Sequence, residues 1–134
     1  MLFRSYHKYE AALASYEMAE QKTTNPSILR RIQLRKGITL LRLGRLKEAE
    51  DIAKALARRY PEDLTIQALG GAVLYYGRRY SEAQAFVEKG AEKKNLACTM
   101  VCSMSDLILG AKARAYKQVR DSFKILDEIG RAHV

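Results

Sequence analysis

Apolar residues recur at three- and four-residue intervals along almost the whole chain, and no useful length of it alternates strictly between apolar and polar. That spacing is the signature of amphipathic helices and not of strands. Leu46, Ala49, Ala53 and Leu56, for example, fall on one face of a helix whose other positions are charged. The interruptions are few. Asn25-Pro26-Ser27 should end one helix and open the next, with Asn25 as the cap and Pro26 in the first turn. Gly44-Arg45 and Gly77-Arg78 predict tight turns between antiparallel helices, each glycine taking the left-handed conformation that ends a helix. Tyr60-Pro61-Glu62-Asp63 should stop another, because the residue before proline disfavours helical dihedrals. The expected helices are 3–22, 28–43, 46–60, 64–76, 80–94, 97–112 and 115–130. With connections this short, consecutive helices should be antiparallel neighbours in one compact all-α unit.

The pattern also repeats. Leu43-Gly44-Arg45-Leu46-Lys47-Glu48-Ala49-Glu50 returns, loosened, as Tyr76-Gly77-Arg78-Arg79-Tyr80-Ser81-Glu82-Ala83-Gln84. Ala49 and Ala83 are 34 residues apart, and so are Gly37 and Gly71. A period near 34 with helical patterning points to a stacked array of helical hairpins. On these residues the chain resembles the tetratricopeptide repeat (TPR). The large and small residues of that motif's second helix are matched by Leu46, Ala49, Ala53 and Leu56 before Pro61, and by Tyr80, Ala83, Val87 and Gly90. Tyr9, Ala12, Tyr16 and Ala19 give a looser match, as do Tyr116, Val119, Phe123 and Leu126. The resemblance implies antiparallel hairpins stacked in a right-handed superhelix. About three and a half TPR-like units would form a single domain over 1–134, bounded near 1–26, 27–62, 63–96 and 97–134. The first unit lacks most of its leading helix, so Phe3, Tyr6 and nearby apolar surface would lie at an uncapped end, where contact with another protein is expected.

Composition changes this picture little, and charge changes it more. A hydrophobic fraction of 48% and a charged fraction of 29% suit a globular chain of 134 residues. No apolar run approaches the roughly 18 to 20 residues needed to span a membrane, so no membrane insertion is expected. The basic start Met1–Lys8 lacks the apolar core of a secretion signal. Cys98 and Cys102 lie one helical turn apart, not at Cys-x-x-Cys spacing, and read as small packing residues. An intracellular, reducing location is expected, the cytoplasm first and an organelle as the alternative. The net charge of +9 is concentrated at Arg30, Arg31, Arg35, Lys36, Arg42, Arg45 and Lys47. Such a surface suits an acidic protein before it suits nucleic acid, given the apolar neighbours of these arginines.

In the TPR family the first helix of each hairpin lines the concave face. The resemblance places Arg31, Leu34, Arg35, Ile38, Leu41 and Arg42 there, followed by Thr65, Ala68, Leu69, Ala72, Tyr75 and Tyr76. Val101, Met104 and Ile108 complete the groove, with Lys112 at its end. It would hold an amphipathic or apolar helix that also carries acidic residues. The clamp with which some family members grip acidic chaperone tails is not matched, since Thr65 and Leu69 stand at its positions. The looser similarities are to small TPR chaperones of secretion machineries and to auxiliary subunits of N-terminal acetyltransferases. An adaptor, chaperone or scaffold subunit of a larger assembly is therefore expected. The alternative is an RNA-associated helical repeat, because pentatricopeptide repeats share the period. Leu34, Ala68 and Met104 would occupy the base-reading sites and lack the hydrogen-bonding groups, leaving only phosphate contacts through the 30–47 run. Catalysis is not expected, and neither a cofactor nor a metal is implied. Leu69-Gly70-Gly71-Ala72 is not followed by the Lys-Ser/Thr of a phosphate loop, and His7 and His133 sit at opposite ends of the chain.

Overall fold

The computed structural model describes the backbone of residues 2–132 and the side chains of residues 6–131. Over the described residues it is all-α, with six helices in sequence: α1 (Leu2–Lys22), α2 (Pro26–Arg42), α3 (Leu46–Arg59), α4 (Leu64–Tyr76), α5 (Tyr80–Glu92) and α6 (Leu96–Ala132). The capping residues do what their chemistry suggests. Asn25 Oδ1 accepts from the backbone N–H groups of Ser27 and Ile28 at 3.0 and 3.4 Å, with Pro26 opening α2. Asp63 Oδ1 does the same for Thr65 and Ile66 at 3.0 and 3.3 Å, and Asn95 Oδ1 takes the N–H of Cys98 at 3.1 Å. Each satisfies donors that the first helical turn leaves without a partner.

Three of the helix ends share one closure. The N–H of Arg45 bonds Leu40 O, that of Arg79 bonds Leu74 O, and that of Asn95 bonds Gly90 O, each at 2.9 Å. This six-to-one bond requires a left-handed residue just inside it. Gly44 takes that conformation in the first turn, with φ +77°. In the second the expectation was one residue off. Gly77 has φ −79°, and Arg78 carries the positive φ of 63°. Lys94, at φ 60°, does so in the third. The closure, not glycine, sets where the chain turns left-handed.

Every helix packs on the next, and α4 also lies against both α2 and α6. These close approaches depend on missing side-chain volume. A Cβ on Gly37 would lie 2.8 Å from Leu69 Cδ2, and one on Gly71 would lie 3.1 Å from Val101 Cγ1. Thus a glycine of α2 receives a side chain of α4, and a glycine of α4 receives one of α6. A Cβ on Gly70 would overlap the edge of the half-buried Phe86 ring of α5. Ala49, Ala53, Ala83 and Val87 are fully or almost fully buried along the same seams, and one continuous cluster links Leu13, Leu40, Ala49, Ala53, Leu69 and Val73. The arrangement is compatible with a helical repeat.

The expected break near residues 112–115 does not occur: 97–112 and 115–130 belong to one helix of 37 residues, α6. The reason is local. The segment Leu109-Gly110-Ala111-Lys112-Ala113-Arg114-Ala115 has one residue that opposes a helix, Gly110, at a cost of about 1 kcal/mol relative to alanine. It has no proline and no capping side chain. The second helix of a fourth hairpin therefore does not fold back. Residues 98–110 of α6 include its buried and half-buried positions, whereas 111–131 are exposed on every side.

Candidate functional site: an apolar cleft between α4 and α6

Because α4 and α6 approach through small residues, a cleft of about 230 Å³ opens along their outer edges. Its walls are Ala68, Ala72, Tyr75 and Tyr76 from α4 and Ala97, Met100, Val101 and Met104 from α6. None of these side chains is charged. Helical spacing explains the grouping, since 68, 72, 75 and 76 share one face of α4 and 97, 100, 101 and 104 share one face of α6. At one end Tyr75 meets Tyr76 and Tyr80 edge-on, both at 5.5 Å between ring centroids. Lys112 Nζ lies 5.2 Å from the centre of the Tyr80 ring, which places a cation beside this aromatic end.

Six of the expected groove residues meet here: Ala68, Ala72, Tyr75, Tyr76, Val101 and Met104. Sequence reasoning missed Ala97 and Met100. Their signal was available, as Ala97 stands four residues before Val101 and Met100 four before Met104 on the same helical face. Ile108 is half-buried one turn further along α6 and does not line the cleft. Thr65 is exposed, and Leu69 is buried against Gly37.

The α2 residues are placed differently. Leu34, Ile38 and Leu41 are half-buried and pack against the core cluster. Arg31 and Arg35 are exposed beside Tyr16, Ile28 and Ile32 around a separate hollow of about 190 Å³. Arg42 stacks its guanidinium over the Tyr9 ring at 5.6 Å. The α2 and α4–α6 portions of the expected groove are thus two surfaces with core between them.

The basic run is largely paired. Arg30 lies 3.8 Å from Asp63 Oδ2, Lys36 3.4 Å from Glu20 Oε1, Arg45 2.8 Å from Glu48 Oε2 and Lys47 3.4 Å from Asp51 Oδ1. Arg30 and Lys36 find partners on other parts of the chain, beyond the reach of a local reading. A second network joins α3 to α5. Arg79 donates to Glu50 Oε1 at 2.7 Å and forks onto Glu82, while Lys54 Nζ lies 2.7 Å from the same Glu50 oxygen. Hydrogen bonds from Lys54 and then Arg79 hold the Glu50 carboxyl below its usual range, and that from Arg79 does the same to Glu82. Arg45 and Glu48 repeat the Arg79–Glu82 fork 34 residues earlier.

The cysteines lie elsewhere. Cys98 is buried against Gly90, its Sγ 3.5 Å from Leu64 O, and burial pushes its thiol pKa up. Among the described residues no group of three or more His, Cys, Asp or Glu side chains could hold a metal ion. By length and composition α6 is apolar enough to cross a bilayer, through a window of mean hydropathy 1.3 that is 17% buried inside the protein. Such a window tolerates a few charges, which a search for uninterrupted apolar runs passes over. It speaks neither for nor against an intracellular location.

The chain matches no protein-family model, no curated protein and no solved structure.

Proposed function

We propose that the protein is a non-catalytic protein-interaction module of TPR-like hairpins, an adaptor or scaffold subunit that holds an apolar or amphipathic segment in the α4–α6 cleft. The hairpins α2–α3 and α4–α5, followed by α6, carry the repeat reading. It is supported by the matched contacts of Gly37 with Leu69 and of Gly71 with Val101, and by the repeated Arg–Glu forks. The observation behind the function is the cleft's uncharged wall. Its 230 Å³ falls below the roughly 300 Å³ at which small-molecule sites begin, but suits one or two anchoring side chains of a docked helix. Lys112 at the aromatic end favours a segment with an acidic residue on that flank. The exposed Tyr6 and Met18 on α1, which packs only on α2 among the described helices, support a second protein contact at the N-terminal end.

An enzymatic reading lacks support because the cleft offers Ala, Met, Val and Tyr, none of them paired with an acid or base. The RNA reading rests on Arg31 and Arg35, which form no ion pair among the described residues and flank Tyr16. It is weakened by the pairing of Arg30, Lys36, Arg45 and Lys47.

Affinity purification from the native source, with and without nuclease, should be run on the wild type beside Ala72→Glu. A stoichiometric protein partner that survives nuclease and is lost with Ala72→Glu supports the cleft. A partner indifferent to Ala72→Glu removes the cleft from the interaction. Partners lost on nuclease treatment would favour RNA.

A further inference from the structure

The outer half of α6 carries an apolar stripe that nothing among the described residues covers. Tyr116, Val119, Phe123 and Leu126 are 71%, 56%, 64% and 61% exposed. Their spacing of three, four and three residues is that of a coiled-coil seam. The stripe is not a new face of the helix. Carried back at the same spacing it passes through Lys112 and Leu109 to the buried Ser105 and Cys98, which α6 turns toward α4 and α5. An established helix-packing surface therefore continues past the end of the body it packs on.

We infer that a second copy of this chain covers it, the outer halves of two α6 helices pairing antiparallel about a two-fold axis near residue 121. The stripe is self-complementary in that orientation. Tyr116 of each copy opposes Leu126 of the other, and Val119 opposes Phe123, so each layer sets a larger side chain beside a smaller one. Arg120 and Asp127 flank the seam on one side, where the two copies' Arg120 side chains stand closest to the axis and each can extend along the helix toward the other copy's Asp127. On the other side stand Ala115, Ser122 and the exposed Ile129, which faces Ala115 of the other copy.

The area fits a modest dimer. Covering the exposed parts of the four side chains removes roughly 500–600 Å² per copy, a total just above the ~1,000 Å² that a specific interface needs. Left alone, some twenty residues of helix would project into water without the packing of an amphipathic face that supplies most helical stability in proteins.

The test is light scattering on the 134-residue chain across a concentration series, paired with cysteine cross-linking. The wild type should approach twice the chain mass of 15.2 kDa as concentration rises, and Phe123→Glu should stay at 15.2 kDa with its α1–α5 melting transition intact. In a Cys102→Ser background, Tyr116→Cys mixed with Leu126→Cys should give a disulfide-linked pair, and neither variant alone should. A wild type monomeric at all concentrations overturns the inference, as does a dimer unaffected by Phe123→Glu. Cross-linking of Tyr116→Cys to itself would show parallel pairing and overturn the geometry. Monomers that float with phospholipid vesicles only when Phe123 is intact would assign the stripe to a lipid surface instead.

Discussion

Gly44 and Gly77 occupy matching places in two turns of the same sequence type, yet alanine should act on them with opposite sign. Gly44 has φ +77°, where a Cβ costs about 1–2 kcal/mol, offset by about 0.4–1 kcal/mol from a less flexible unfolded chain. Gly44→Ala should therefore destabilise by roughly 1 kcal/mol. Gly77 has φ −79°, and a Cβ there would meet only Val73 O and Leu74 O, at 3.4 and 3.5 Å, which is ordinary contact. Gly77→Ala keeps the unfolded-state gain and should stabilise by about 0.4–1 kcal/mol. Arg78→Gly, which relieves the left-handed residue at φ 63°, should be neutral or mildly stabilising. Urea denaturation followed by far-UV circular dichroism would read the difference, because 1.5–2 kcal/mol separates the two alanine variants by roughly 1 M in midpoint. Equal destabilisation by both alanines would refute the reasoning. The left-handed residue would then sit at Gly77, and the six-to-one bond from Arg79 to Leu74 would not exist as described.

Leu34→Glu with Ile38→Glu should unfold the α1–α3 region instead of silencing a binding surface, since both side chains pack on the core; thermal melts of the double variant check this. Ellman's reagent should label Cys102 in the native protein and reach Cys98 only at the rate of opening or unfolding; equal rates would contradict the burial of Cys98. Glu50 has its folded pKa lowered, so its contribution to stability is complete above the ordinary value of about 4.5 and is lost as pH falls through the lower folded value. Arg79→Gln should raise the Glu50 and Glu82 values toward ordinary and shift the onset of acid unfolding to higher pH, which carboxyl NMR titration and acid melts would measure.

Local chemistry made much of the fold legible. Asn25, Asp63 and Pro61 mark helix boundaries through bonds spanning two or three residues or through restricted dihedrals, and the structure places them as their chemistry suggests. The 34-residue recurrence of Gly37 with Gly71 and of Ala49 with Ala83 pointed to seams where helices approach closely, and all four are buried. The cleft was largely legible for the same reason: residues sharing a helical face can be grouped from spacing alone, and six of its eight walls were.

Tertiary structure decided what depends on partners far along the chain. Leu34, Ile38 and Leu41 have the same periodicity whether a helix face meets a ligand or the core, and only the placement of α3 and α4 against α2 assigns them to the core. The cations of the 30–47 run look unopposed because Asp63 and Glu20 approach Arg30 and Lys36 from other segments. At Gly110 a helical penalty of about 1 kcal/mol is too small to end a helix by itself, so α6 runs on. At Arg78 the turn's closure overrides the glycine beside it. Spacing and capping energies act within a turn or two of helix and can be read from the order of residues, whereas burial and charge pairing arise only when distant segments meet.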